Sequence, residues 1–259
     1  TKSSVDSVFG ITKFEQTLST DPDNEVVAHR YFDQLKTEED VQKIVNPTIE
    51  LDVEATAQVE EKAREIFDGI IAVETQGYAP TFAPWDRIVT WRGAQNALLD
   101  LADRPDFIHQ IMSRLLDAYL CLLDQLEEQG ILGAYGPSPN VAQQLVQCSG
   151  AYTDELPAEG YDPARPRARD VWTYGMAQIF SEVSPAMHRE FEIEYAVKWY
   201  SRFGLVYYGC CDPLHKKIDL LRAIPNLRKI SMSPWVDVEK GAEQIGEDFV
   251  FSRKPNPNV

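Results

Sequence analysis

Leu205-Val-Tyr-Tyr-Gly-Cys-Cys-Asp-Pro-Leu-His215 is the stretch on which the fold turns. An apolar, aromatic run stops at Gly209, passes two adjacent cysteines and Asp212-Pro213, and gives way to an amphipathic segment. That pattern predicts a buried strand running through a loop into a helix. In parallel α/β folds ligands bind at the carboxyl ends of the strands, which is where these thiols fall.

Segments of both kinds continue on either side. Ile70-Ile-Ala-Val-Glu-Thr75 and Ile131-Leu-Gly-Ala-Tyr135 read as short strands upstream, and Leu227-Arg-Lys-Ile-Ser-Met232 and Asp248-Phe-Val-Phe-Ser252 as strands downstream. Helices are expected between them. Val53 to Phe67 carries Val59, Ala63 and Ile66 on one side, and Gly93 to Leu101 reads as a short helix. Asp103 and Pro105 open a long helix in which Phe107, Ile111, Leu115, Tyr119, Leu122 and Leu126 recur at helical spacing until Gly130. Asp170 to Val183 is expected to be helical. Ser184-Pro185 caps a further helix with Phe191, Tyr195 and Trp199 on its apolar side, Leu214 to Ala223 is a helix, and Asp237 caps another that ends at Gly246. Asp21-Pro-Asp-Asn24 is a turn, and Thr37 caps a short helix. Asn140 to Gln147 reads as either strand or helix, and Ser149 to Arg169 as a long polar loop.

Strands alternating with helices predict a parallel sheet with crossover helices. The chain of 259 residues suits one (β/α)8 TIM-like barrel, which typically needs ~250. Only five or six strands can be read, so the expected barrel is incomplete at its N- and C-terminal ends. Residues 1–259 are expected to form this single domain, with 1–50 an irregular segment packing on the barrel.

Composition narrows the function. A formal net charge of −16 repels phosphate backbones and argues against nucleic acid as a partner. No apolar run is long enough to span a bilayer, and Thr1-Lys-Ser-Ser-Val-Asp6 lacks the layout of a signal peptide. The 4 cysteines do not make a disulfide scaffold, and a bridge between adjacent Cys210 and Cys211 would be strained. A cytoplasmic location with free or metal-bound thiols is expected. No Walker motif, Gly-x-Gly-x-x-Gly or nucleophile elbow is present, which argues against nucleotide cofactors and serine hydrolysis.

Several segments resemble the uroporphyrinogen decarboxylase superfamily. Ser184-Pro-Ala-Met-His-Arg-Glu-Phe191 followed by Tyr195 is similar to that family's Ser-Pro-x-x-(Phe/Met)-x-Glu-Phe helix. Tyr208-Gly-Cys-Cys-Asp212 is similar to the His-x-Cys-Gly element of its methyltransferase branch, and Pro225-Asn226, Ile230-Ser231 and the Asp237 helix resemble the next βα unit. The resemblance covers roughly Gly69 to the C-terminus and implies a (β/α)8 barrel. One branch of the family decarboxylates uroporphyrinogen without a cofactor. Another moves methyl groups between a small methylated substrate, a corrinoid protein and an acceptor, often with zinc. The chain departs from both patterns. It lacks the decarboxylases' Arg-Gln-Ala-Gly-Arg segment, and Tyr208 stands where the methyltransferases have His.

The candidate residues follow. Cys210, Cys211 and His215 are the candidate zinc ligands, with Cys210 foremost, because thiolate and imidazole suit zinc and catalytic zinc needs about three protein ligands. Two small cysteines packed as apolar side chains are the alternative. Glu74 lies near the end of a predicted strand and Tyr78 just beyond it, where a buried carboxylate can serve as acid or base. Tyr208 and Asp154 complete the candidate catalytic set. Trp235 and Lys254 are candidates for flanking or holding a bound group. His188 is expected on an outer helix face. Zinc-assisted methyl transfer with a corrinoid partner is the leading expectation, and decarboxylation of a tetrapyrrole the first alternative. A non-catalytic barrel that binds a corrinoid or tetrapyrrole is the second. A homodimer is allowed.

Overall fold

The computed structural model describes residues 8–18, 28–136, 138–142 and 151–256. The turn expected at 21–24 and the segment 143–150 lie outside them. An antiparallel hairpin, β1 (Glu15–Leu18) and β2 (Ala28–Tyr31), opens the described chain. A 3-10 turn at Glu38–Lys43 follows, its start fixed by Asp40, whose carboxylate accepts the Lys36 and Thr37 N–H groups.

Helix α1 (Val53–Phe67) forms as predicted, with Asp52 Oδ1 accepting the Ala55 N–H at 2.8 Å. Its apolar side is not covered by any described residue: Val59 is 70% and Ile66 55% exposed. The strand expected at Ile70 to Thr75 does not form. The Phe67 carbonyl accepts from both Ile70 and Ile71, which continues the chain as a turn, and both isoleucines are exposed.

The parallel sheet begins instead at β3 (Thr81–Phe82), followed by α2 (Pro84–Arg92), α3 (Ala94–Asp103) and α4 (Pro105–Glu128). Arg104 rather than Asp103 takes the N-cap position of α4, since Asp103 still belongs to α3. The row Phe107, Ile111, Leu115 and Tyr119 is buried. Of the strand expected at Ile131 to Tyr135, the backbone makes only a parallel bridge between Leu132 and Tyr78. A second antiparallel pair, β4 (Val141–Ala142) and β5 (Ala151–Tyr152), leads into the predicted loop.

The segment expected to be a helix from Asp170 contains β6 (Trp172–Gly175). All four of its residues are buried, so no alternation marks it as a strand. Then come α5 (Pro185–His188), opened by Ser184 Oγ accepting the Met187 N–H, a π turn at Arg189–Ile193, and α6 (Glu194–Tyr200). The last elements are β7 (Leu205–Tyr208), α7 (Ile218–Leu221), β8 (Leu227–Met232), α8 (Val238–Ile245) and β9 (Val250–Arg253).

The sheet runs β3-β6-β7-β8-β9, every pair parallel, in chain order. Among the described residues it is an open five-stranded sheet and does not close into a ring. Alternate residues along each strand face opposite ways. One face carries Phe82, Val206, Tyr208, Ile230 and Met232 into a large core built with α4 and α6. Fully burying such a side chain stabilises the fold by about 1.5–3 kcal/mol. The other face carries a smaller cluster of Leu156, Trp172, Tyr174, Leu205 and Tyr207. At Gly175 a Cβ would meet the Tyr200 hydroxyl at 1.9 Å, so the Tyr200 ring of α6 rests directly on bare backbone there. No helix of the described residues is long and apolar enough to cross a membrane.

Candidate functional site

The smaller face of the sheet is polar where it nears the carboxyl ends of the strands. Lys229 Nζ lies 4.5 Å from the Tyr207 ring centre, and the Tyr207 and Ser252 hydroxyls are 3.2 Å apart. Lys229 and Ser252 are fully buried. Burying polar groups costs free energy unless they are hydrogen-bonded, so a polar wall of this kind is kept only where partners are at hand.

Above it, Gly209 leaves β7 at φ 98°, a conformation suited to glycine, and a Cβ there would meet Leu214 Cδ1 at 2.3 Å. The turn aims the Cys210 carbonyl at two donors, Ser231 Oγ at 2.8 Å and Lys254 Nζ at 2.5 Å. Asp212 Oδ1 accepts the Cys210 N–H at 3.1 Å, and the Tyr174 hydroxyl donates to the Gly209 carbonyl at 2.9 Å. Cys210 is half-buried and Cys211 exposed, with their sulfurs 3.5 Å apart. Burial pushes the Cys210 thiol up to about 11, reinforced by its contact with Cys211 and opposed by the charge of Lys254 and the Tyr174 hydroxyl. The thiol is therefore protonated at neutral pH.

A cavity of about 280 Å³ adjoins this cluster through Met176, which lies 3.5 Å from the Tyr174 hydroxyl. Thr81, Asp86, Arg87, Thr90 and Tyr119 also line it. Burial raises the Asp86 carboxyl, the Asp212 charge adds to that, and Arg87 opposes it. Asp212 itself is 2% exposed, and its Oδ2 has no hydrogen-bond partner among the described residues.

Tyr208 does not join this cluster. Standing next to Tyr207 on the strand, it faces the helices, fully buried. Its hydroxyl lies 2.9 Å from His188 Nε2 and donates to Glu192 Oε2 at 3.2 Å. Lys217 Nζ donates to the Phe180 carbonyl and sits 3.3 Å from His188 Nδ1. His188, expected on an outer face, is thus at the centre of a sealed polar network. Burial, and after it the Glu192 charge, holds the Tyr208 phenol well above its usual range.

The other expected residues are dispersed. Glu74 and Asp154 are exposed, Trp235 is 71% exposed, and Tyr78 is held in the bridge to Leu132. His215 is buried near α8, where a Cβ on Gly241 would lie 3.5 Å from its own Cβ, and burial lowers its pKa. Among the described residues no three His, Cys, Asp or Glu side chains gather in a way that could hold a metal ion. Cys210, Cys211 and His215 are therefore not brought together as a ligand set. Of the expected residues, Cys210, Cys211 and Lys254 come together. Tyr174, Ser231, Asp212 and Asp86 join them without having been picked out. Asp86 had a signal, since Ala83-Pro84-Trp85-Asp86 opens a helix straight after a strand end.

The sequence matches no family model and no curated protein. The site is accordingly read from its geometry.

Proposed function

We propose that the five-stranded parallel sheet is part of a (β/α)8 barrel enzyme of the uroporphyrinogen decarboxylase type, acting on an acidic small molecule at the carboxyl ends of its strands. Strands that add in chain order through right-handed crossovers place their helices on one face, which is how a barrel is wound. The observation that carries the functional reading is the cluster of Cys210, Lys254, Tyr174 and Ser231 on the opposite face, at the strand ends.

The chemistry it supports best is decarboxylation without a cofactor. Lys254 would hold a substrate carboxylate beside the Cys210 loop. As the bond between carbon and carboxylate breaks, carbon dioxide leaves and the electron pair stays on the substrate carbon. That carbon then takes a proton from a neutral donor, either the Cys210 thiol or the Tyr174 phenol. A thiol that is protonated at neutral pH carries the proton this step requires. Zinc-assisted methyl transfer through Cys210, with a corrinoid protein docking over the strand ends, is the second reading. The paired thiols favour it, while the lack of a third ligand among the described residues weighs against it.

Uroporphyrinogen is the first substrate to try, with release of carbon dioxide as the readout and metal analysis run alongside. Turnover in the presence of a chelator, lost in Lys254→Met, supports decarboxylation. Turnover that requires zinc and a methylated corrinoid supports the second reading and ends the first.

A further inference from the structure

Neighbouring residues of an extended strand point to opposite faces, which keeps their side chains apart. Cys210 and Cys211 escape that rule because β7 has already ended at Tyr208 and Gly209 turns the chain at φ 98°. Asp212 Oδ1 then holds the Cys210 N–H, and both sulfurs come to one side of the loop, 3.5 Å apart. One thiol is exposed and the other half-buried behind it. An accessible first thiol with a second within reach is the arrangement that intramolecular thiol–disulfide exchange needs.

We propose that Cys210 and Cys211 form a vicinal dithiol modification site, oxidised to a disulfide by low-molecular-weight disulfides of the glutathione class. The Cys211 thiolate attacks one sulfur of the small disulfide, forming a mixed disulfide and releasing one small thiolate. The Cys210 sulfur, losing its proton to solvent, then attacks the Cys211 sulfur and displaces the second small thiolate. Two electrons pass from the protein to the small disulfide, and the two protons lost from the cysteines are taken up by the two released thiols. The sulfurs must close from 3.5 Å to about 2.05 Å between Cα atoms only about 3.8 Å apart, so the bridge is strained and is readily reduced again by small thiols. Closing it turns the Cys210 carbonyl, the group to which Ser231 and Lys254 both donate. Oxidation therefore loosens Lys254 from its present position. The proposal does not depend on the decarboxylase reading, because it concerns thiol chemistry that can be followed without any substrate.

The test incubates the full chain with oxidised glutathione, blocks free thiols with N-ethylmaleimide and maps peptides by mass spectrometry. The peptide holding both cysteines should be two hydrogens lighter, carry neither maleimide nor glutathione, and become doubly alkylated after dithiothreitol. Cys210→Ser should trap glutathione on Cys211, and Cys211→Ser should leave Cys210 open to maleimide. Glutathione that stays on wild-type Cys211, maleimide on both sulfurs after oxidation, or a bridge from either to Cys121 or Cys148 would overturn the proposal.

Discussion

Around Tyr208, polar groups are sealed between sheet and helices. Lys217, His188, Tyr208 and Glu192 are linked in a chain of contacts, and none reaches solvent appreciably. Two residues further along the same chain, Cys210 meets Lys254, Ser231 and Tyr174 on the other side of the sheet, where the loop is half open and Cys211 is exposed. Both groupings hold an ionisable lysine and a tyrosine hydroxyl. What separates them is access, and access follows from Gly209, which turns the chain at the end of β7 so that Cys210 leaves the face that Tyr208 occupies. The first arrangement is suited to fixing the helices on the sheet, the second to meeting a ligand.

The contrast can be broken by mutation. Glu192→Ala should have the largest effect on stability, a loss of about 3–5 kcal/mol in chemical denaturation, because it removes the fully buried carboxylate that lies 3.4 Å from His188 Nε2 and accepts a hydrogen bond from the Tyr208 hydroxyl. A loss below about 1 kcal/mol would mean that the sealed network does not anchor the helices. Lys254→Met should instead lower turnover by about 10²–10³-fold, the scale of removing one preorganised electrostatic contact, with the fold retained. If both substitutions unfold the chain equally, the distinction between the two groupings fails. Tyr208→Phe removes only the bridging hydroxyl and should lower stability by about 1–3 kcal/mol, with turnover per folded molecule unchanged.

pH sharpens the comparison. The Cys210 thiol is raised from about 9 to about 11 in the folded chain, so the native state binds its proton more tightly than the unfolded state does. The stability this contributes is fully present below pH 9 and is lost as pH rises toward 11. Cys210→Ala should therefore lose less stability than wild type between those two values, as measured by denaturation at each pH. Identical slopes would contradict the thiol's raised pKa. The smallest effects belong to Glu74→Ala and Asp154→Ala, both exposed, which should stay within about 0.5 kcal/mol of wild type and leave turnover unchanged.

The sequence displays some of this architecture openly. Strands β7, β8 and β9, the long α4, and the caps at Ser184 and Asp237 follow from periodicity and capping residues. Strand β6 was hidden because burial on both faces erases alternation, and the apolar Ile70-Ile71 run misled because it lies exposed after a helix. At the site, Cys210 and Lys254 could be picked out by residue type and position. Tyr208 enters the candidate set because it stands where the methyltransferase branch has His, and the pleat turns it to the helix side, opposite Tyr207. Tyr174 and Ser231 gave no signal, as an aromatic or a serine within a buried strand looks like ordinary packing.

Gly175 carries a consequence for anyone who screens this protein by random substitution. Since even a methyl group there would strike the Tyr200 hydroxyl, a library should tolerate almost nothing at this position. It lies at the carboxyl end of β6, one residue beyond Tyr174, and its silence would look like the signature of a reacting group. The cause would be a tyrosine ring resting against naked main chain, so intolerance mapped along this edge has to be checked against folded yield before it is counted as chemistry.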